Sequence, residues 1–184
     1  MVLVLLANGF EEVEALFPVD LLRRAGLTVK TVGISGKVAE GSHGIRVECD
    51  ITPDEIDYND VEAVILPGGL PGTENLDKSA VTNKLLDTVM RRGGHIGAIC
   101  AAPSVLGRRG LLKNKRATCY PGFERELFGA DRTRNDAVST DGNITTARSV
   151  GVAKEFAKEF AKELVRVLCG EEKLREISDA ICEN

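Results

Sequence analysis

The stretch VLVLLANGFEEVEALFPVDLLRRAGLTVKTVGI, residues 2–34, decides the fold. It opens with Val2–Ala7, an unbroken apolar run closed by Asn8-Gly9. Such a run fits a strand covered on both faces better than a strand with one wet side. From Glu11 to Ala25 the spacing becomes helical, and Val13, Leu16, Phe17, Leu21 and Leu22 are expected to share the inward face. Glu11 and Glu12 suit the positive end of that helix, Arg23 and Arg24 its negative end, and Gly26 its stop. Pro18 lies inside the pattern and predicts a kink. Thr28–Ile34 reads as the second strand, so the stretch is one βαβ unit.

The same alternation continues outward. Gly44–Ile51 predicts a short strand beside the sheet, and Ala63–Leu66 a buried strand ending at Pro67-Gly68-Gly69. Ser79–Arg92 is helical and is closed by Gly93-Gly94. Ile96–Ile99 is a strand that runs directly into Cys100, and Ala102–Arg109 a short helix before Gly110. Ala117–Cys119 and Ile144–Ala147 read as further short strands. Val152–Leu168 is a helix with Phe156, Phe160, Leu164 and Leu168 in one apolar stripe, and Glu171–Ile181 a last short helix. Strands alternating with helices predict an α/β fold, a mostly parallel sheet with helices on both faces. Val2–Ala7, Ala63–Leu66 and Ile96–Ile99 are its expected parallel neighbours. No composition shift marks a boundary, and 184 residues fit a single domain over 1–184. Open parallel sheets bind ligands beyond the carboxyl ends of their strands. Three suspicious segments fall there: Asn8-Gly9, Pro67-Gly68-Gly69 and Cys100.

Charge and composition exclude several classes. With 24 basic and 28 acidic residues and a net charge of −4, the chain lacks the basic stripe of a specific nucleic-acid binder. The tight cluster Lys113, Lys115 and Arg116, with Arg108 and Arg109 upstream, reads as a solvated loop. No run approaches the ~18 apolar residues of a membrane span. Met1–Leu6 is too short, and lacks the basic lead-in, for a signal peptide. The five cysteines, Cys49, Cys100, Cys119, Cys169 and Cys182, are odd in number, widely spaced and without a CxxC. That pattern fits neither a disulfide framework nor a zinc site, so no metal is expected. Reduced thiols in a cytoplasmic protein fit it best.

The segment Gly94-His95-Ile96-Gly97-Ala98-Ile99-Cys100-Ala101-Ala102-Pro103 goes strand, cysteine, helix, like a nucleophile elbow. Ala98, Ala101 and Ala102 leave room for a tight backbone and an approaching substrate. The positive end of the following helix is expected to favour the thiolate, and exposed N–H groups at the turn can hold a developing oxyanion. The alternative is a cysteine packed as a small hydrophobe. Cys169 and Cys182 read as packing residues on terminal helices, while Cys119, beside Tyr120-Pro121, is a candidate second thiol facing the crevice. Gly68-Gly69-Leu70-Pro71-Gly72 lacks the Lys-Ser/Thr of a phosphate loop and the GxGxxG of a dinucleotide site. It reads instead as a turn and an oxyanion wall.

Five segments in this order and spacing resemble the ThiJ/PfpI superfamily, and within it the parkinsonism-associated deglycase branch. They are Ala7-Asn8-Gly9-Phe10-Glu11-Glu12-Val13-Glu14, Pro18–Gly26, Leu66-Pro67-Gly68-Gly69, Ala98-Ile99-Cys100-Ala101-Ala102-Pro103 and Thr146-Ala147-Arg148. The resemblance implies a flavodoxin-like three-layer sandwich and a homodimer. It implies Cys100 as nucleophile and Glu14 as a protonated acid bonded to the sulfur. It also implies the backbone N–H groups of Gly69 and Ala101 as oxyanion donors. On the residues alone, Glu14 reads as a solvated first-turn carboxylate. The chain departs from the family pattern twice. Tyr120 stands where the family often has histidine, and Ser149-Val150-Gly151 follows Arg148 where it often has Gly-Pro-Gly. Tyr120 and Arg148 are therefore candidate pocket residues. His43 and His95 fall in no catalytic motif and read as structural or exposed. Ala101 stands where the protease-like branch has histidine, which argues against a peptidase.

The expected activity is aldehyde chemistry without a cofactor, on small 2-oxoaldehydes such as methylglyoxal or on early glycation adducts of proteins. Cys100 adds to the carbonyl and Glu14 moves the protons. With Tyr120 in place of histidine, turnover is expected to be weak and Glu14 to carry the proton transfers alone. The rival reading is a redox-sensing stress protein or chaperone, in which Cys100 is oxidised. A third is a paralogue that keeps only the fold.

Overall fold

The computed structural model describes residues 1–131 and 136–168. The βαβ unit is β1 (Val2–Leu6), α1 (Glu12–Arg24) and β2 (Val29–Gly33). A hairpin follows, β3 (Val38–Glu40) and β4 (Arg46–Glu48), then β5 (Ala63–Leu66), α2 (Gly72–Lys78) and α3 (Ala80–Arg91). β6 (His95–Ile99), α4 (Pro103–Arg108), β7 (Val138–Asp141), β8 (Ile144–Ala147) and α5 (Ala153–Leu168) complete the order. The main sheet runs β2-β1-β5-β6-β8-β7. Its first five strands are parallel and β7 is an antiparallel edge. The parallel strands, in chain order, stand 2-1-3-4-5, the flavodoxin-like arrangement whose direction switches between β1 and β5.

The continuous apolar runs behave as expected, because every residue of β1 and β5 is buried. Val2, Val4 and Leu6 pack on one side with Ala15, Val19 and Leu22 of α1 and Phe156, Phe160 and Leu164 of α5. Leu3 and Leu5 pack on the other with Leu76, Leu85, Leu86, Val105 and Leu106 of α2, α3 and α4. Alternate strand residues thus feed two core halves, and each fully buried Leu, Val or Phe contributes about 1.5–3 kcal/mol. Gly97 of β6 makes room on the α5 side. A methyl group there would lie 2.9 Å from Phe156 Cζ and 3.0 Å from Phe160.

The structure corrects several expectations. α1 continues through Pro18, and its inward face carries Ala15, Val19, Leu21 and Leu22 but not Val13, so it is rotated from the expected one. Val13 is 49% exposed, whereas Glu12 and Glu14 are buried. Both acids find partners inside, which offsets their desolvation and rotates the face. Ala117–Cys119 forms no strand. The N–H of Thr118 donates to the Thr146 hydroxyl at 3.0 Å instead of to a strand carbonyl. α2, β3 and β7 were not legible in the periodicity, being short and partly exposed. Among the described residues no helix is long and apolar enough to cross a membrane. Cys169, Cys182 and the helix expected over Glu171–Ile181 lie outside the described residues.

Candidate active site

The loops after β1, β5 and β6 meet at the carboxyl end of the sheet, beside the point where the strand order turns. Cys100 directly follows β6, with φ of 63°. A non-glycine residue in this left-handed region costs about 1–3 kcal/mol and persists only where its neighbours hold it. Here both of its main-chain polar groups are held. The N–H donates to Ala147 O of β8 at 2.9 Å, and the carbonyl accepts the N–H of Tyr120 at 2.8 Å. The turn lifts the half-buried thiol out of the sheet, and the N–H groups of Gly69 and Ala101 lie near enough to the sulfur to favour its charged form.

Glu14, on the first turn of α1, is fully buried rather than solvated. Its Oε2 accepts the N–H of Gly68 at 2.8 Å. Oε1 is buried without a hydrogen-bond partner, and the Cys100 thiol is the neighbouring side chain that favours the charged carboxylate. Gly68 is required by this approach. A Cβ there would stand 2.6 Å from Cys100 Cβ and 2.7 Å from Glu14 Oε2.

Burial dominates the electrostatics of both groups. It pushes Glu14 up to about 7, reinforced by the nearby Glu11 charge and opposed by the Gly68 amide. Burial also pushes the Cys100 thiol up to about 12, and the Glu14 carboxylate adds to the rise, while the Ala101 and Gly69 amides work against it. The lowered thiol expected from a helix dipole is therefore not found. α4 has six residues and starts at Pro103, beyond the elbow, so its dipole is small and distant. The repulsive part of the rise exists only while Glu14 is charged. With Glu14 protonated, the two amides and the carboxyl proton favour the thiolate, so the pair can share one proton and one negative charge.

A cavity of about 450 Å³ opens over these groups, lined by Glu11, Glu14, His43, Gly69, Leu70, Cys100, Ala101, Tyr120, Phe123 and Val150. Five of the expected site residues, Cys100, Glu14, Gly69, Ala101 and Tyr120, thus meet around one space. Two do not. Cys119 is 4% exposed and packs in the core half beneath α3 and α4. Arg148 is half-buried, its N–H donating to Ala137 O at 3.0 Å, and its side chain does not line the cavity. Its neighbour Val150, in the segment that departs from the family pattern, does.

His43 was expected to be structural or exposed. Its side chain is 68% exposed, yet it lines the cavity and pairs with Glu12 and Glu11. Those acids, the Glu12 carboxylate first, push the imidazole up from its ordinary value. No local pattern links Ser42-His43 to α1, because the contact spans 31 positions and depends on how the hairpin docks. Glu11, Glu12 and His43 bring three potential metal-ligand atoms within 4.8 Å of one another. Hydrogen bonds join His43 to Glu12, and Glu11 Oε1 stands 3.6 Å from the same ring nitrogen.

Comparison with known proteins agrees with this fold. Protein dj-1beta of Drosophila melanogaster is 36% identical over 181 residues, covering 97% of this chain and 95% of that protein. Its crystal structure superposes with a TM-score of 0.88 at 34% identity, covering 100% of this chain and 97% of the other. The glutathione-independent glyoxalase DJR-1.2 of Caenorhabditis elegans is 32% identical, over 94% of this chain and 90% of its own length. A deglycase of Pyrococcus abyssi is 32% identical over 82% of this chain and 90% of its own. Residues 1–163 match the DJ-1/PfpI family, a span that includes β1, α1 and the elbow at Cys100. A cysteine in left-handed backbone at the end of β6, with a buried acid from α1 against it, is thus carried by a chain that belongs to the DJ-1/PfpI family.

Proposed function

We propose that the chain is a cysteine-dependent enzyme acting on 2-oxoaldehydes or on the early adducts they form with proteins. The observation that carries this reading is the buried Glu14 carboxyl against the Cys100 thiol, with two backbone N–H groups on the same sulfur. The thiolate adds to the aldehyde carbon, and the new oxygen, held by the Gly69 and Ala101 amides, takes the carboxyl proton to give a hemithioacetal. Glu14, now a carboxylate, removes the hydrogen from that carbon and returns it to the neighbouring one, while the hydroxyl proton passes to the neighbouring oxygen. The product is a thioester of a 2-hydroxy acid, and water releases lactate when the substrate is methylglyoxal. Each step uses only groups of the chain and water. Two relatives named as a glyoxalase and a deglycase support the same chemistry.

The cavity suits such substrates. Its 450 Å³ exceeds what a three-carbon aldehyde fills, which leaves room for the side chain of an adduct. No arginine or lysine is among its lining residues, so an uncharged carbonyl compound fits better than an anionic one. The test is lactate formation from methylglyoxal by the purified protein and by Cys100→Ser. Formation by the parent alone is expected, and equal rates in the two would refute the reading.

A second reading keeps the same thiol. The half-buried sulfur faces a solvent-connected cavity, and its two amide donors would also hold the oxygens of an oxidised cysteine. Attack of the thiolate on hydrogen peroxide gives sulfenic acid and hydroxide. Mass spectrometry after graded peroxide exposure tests this, with Cys100 expected to gain oxygen before Cys49 or Cys119. The family resemblance further supports a homodimer, and widely spaced cysteines without a CxxC fit a cytoplasmic setting. Sedimentation of the purified chain tests the dimer.

A further inference from the structure

The proposed reaction moves protons at two carbons, where Glu14 serves, and at two substrate oxygens. The titratable side chains that line the cavity are Glu11, Glu14, His43, Cys100 and Tyr120. A phenol titrates near ~10 and yields its proton reluctantly at neutral pH. Glu11 repeats the chemistry of Glu14 without its burial. His43 is the one imidazole of this lining, and an imidazole is suited to both giving and taking a proton near neutrality.

Its placement is built by several elements. The β3–β4 hairpin docks on the turn after β1, where Gly9 N–H donates to Glu40 O at 2.8 Å and Ser42 N–H to Phe10 O at 2.8 Å. That docking sets the His43 main-chain N–H 2.8 Å from Glu12 Oε1 and the ring Nδ1 2.9 Å from Glu12 Oε2. Glu12 is only 4% exposed and accepts further from Ile45 N–H at 3.5 Å and the Ser42 hydroxyl at 3.4 Å. A buried, multiply bonded carboxylate on Nδ1 fixes the ring and leaves Nε2 as the nitrogen free for a ligand. The rest of the ring is exposed at the cavity wall. A histidine serving only as a surface counter-charge would not need both its backbone and its ring clamped to one buried acid.

We propose that His43, positioned by Glu12, is the second proton carrier of the cavity, acting on the oxygens of a 2-oxoaldehyde bound to Cys100. The role rests on the aldehyde reading above. When Glu14 removes the C1 hydrogen of the hemithioacetal, the electron pair moves toward the C2 carbonyl, and that oxygen takes a proton from His43 Nε2. The resulting enediol is protonated at C2 by Glu14. The C1 hydroxyl then returns its proton to His43 as the thioester carbonyl forms, so both groups end as they began.

The experiment measures lactate formation from methylglyoxal by the full chain and by Cys100→Ser, His43→Ala, His43→Lys and Glu12→Gln. His43→Ala is expected to lose about 100-fold in kcat, the lower end of general acid–base help, with KM little changed. Free imidazole is expected to restore part of that loss, which a structural role would not allow. His43→Lys keeps a cation against Glu11 and Glu12 and so preserves hairpin docking, yet it is expected to be as slow. Glu12→Gln, acting only through ring position, is expected to lose less. An unchanged kcat in His43→Ala, or full activity in His43→Lys, overturns the role. If the parent makes lactate, Cys100→Ser does not, and the His43 variants match the parent, the role alone falls and the aldehyde reading stands. Equal lactate from the parent and Cys100→Ser overturns both.

Discussion

Tyr120 donates its main-chain N–H to the carbonyl of Cys100 at 2.8 Å, which ties the second wall of the cavity to the elbow through backbone alone. Tyr120 is 46% exposed, and its side chain takes no part in that bond. The identity of residue 120 can therefore change without releasing Cys100 from its left-handed conformation. Tyr120→His is expected to raise lactate formation, most clearly in a His43→Ala background, where it supplies the missing imidazole. Steady-state assays of the single and double variants check this. A slower Tyr120→His enzyme would mean that the phenol itself positions the substrate.

The Glu14 carboxylate raises the Cys100 thiol by its charge, so removing the charge should lower it. Glu14→Gln is expected to alkylate faster at Cys100 near neutral pH while losing roughly 10²–10⁴ in turnover, because an amide cannot exchange the proton. Iodoacetamide labelling rates across pH, read by peptide mapping, check the first half and lactate assays the second. Cys49 and Cys119 are buried, and burial pushes the Cys49 thiol up, so both should label after Cys100.

Glu14 also predicts a pH dependence of stability. Its folded value is about 7 against an ordinary 4.5, so between those pH values the folded chain holds a proton that the unfolded chain has lost. The stability it contributes is fully present below pH 4.5 and falls as pH rises toward 7, on the order of 3 kcal/mol in all. Urea unfolding at several pH values should show this decline in the parent. Glu14→Gln should flatten it, and a parallel decline in the variant would assign it elsewhere.

Gly68→Ala is expected to disturb stability and chemistry together. The added methyl group would stand 3.0 Å from Ile99 O as well as against Cys100 and Glu14, and none of these neighbours is the loose end of a flexible side chain. Overpacking of this kind costs about 1–3 kcal/mol. A lowered melting temperature with sharply reduced turnover is the expected result. Normal activity would show that the elbow relaxes more freely than its packing implies.

Much of the frame was readable in advance because it is written in local patterns. Ala63–Leu66 and Ile144–Ala147 are strands with the expected bounds, since short apolar runs between turn residues have few alternatives. Ser79–Arg92 differs from α3 only by its flanking residues, Ser79 being the N-cap whose hydroxyl accepts from Thr82 N–H at 3.3 Å. Ala117–Cys119 misled because its apolar character serves core packing while a side chain takes its hydrogen bond. The inward face of α1 misled because hydrophobicity ranks Val13 above Glu14, and only partners distant in sequence reverse that order.

By itself the sequence determined the parallel α/β frame and the strand-to-helix turn at Cys100, because side-chain periodicity and local sterics act over a few residues. Tertiary structure alone decided what surrounds that thiol. It buried Glu14 against Gly68, 54 positions away, and carried His43 to Glu12 across 31. It also sent Cys119 into the core and kept the Arg148 side chain out of the cavity. These outcomes turn on how much water each group loses and which partner it gains when separate elements pack, and no local pattern carries that balance.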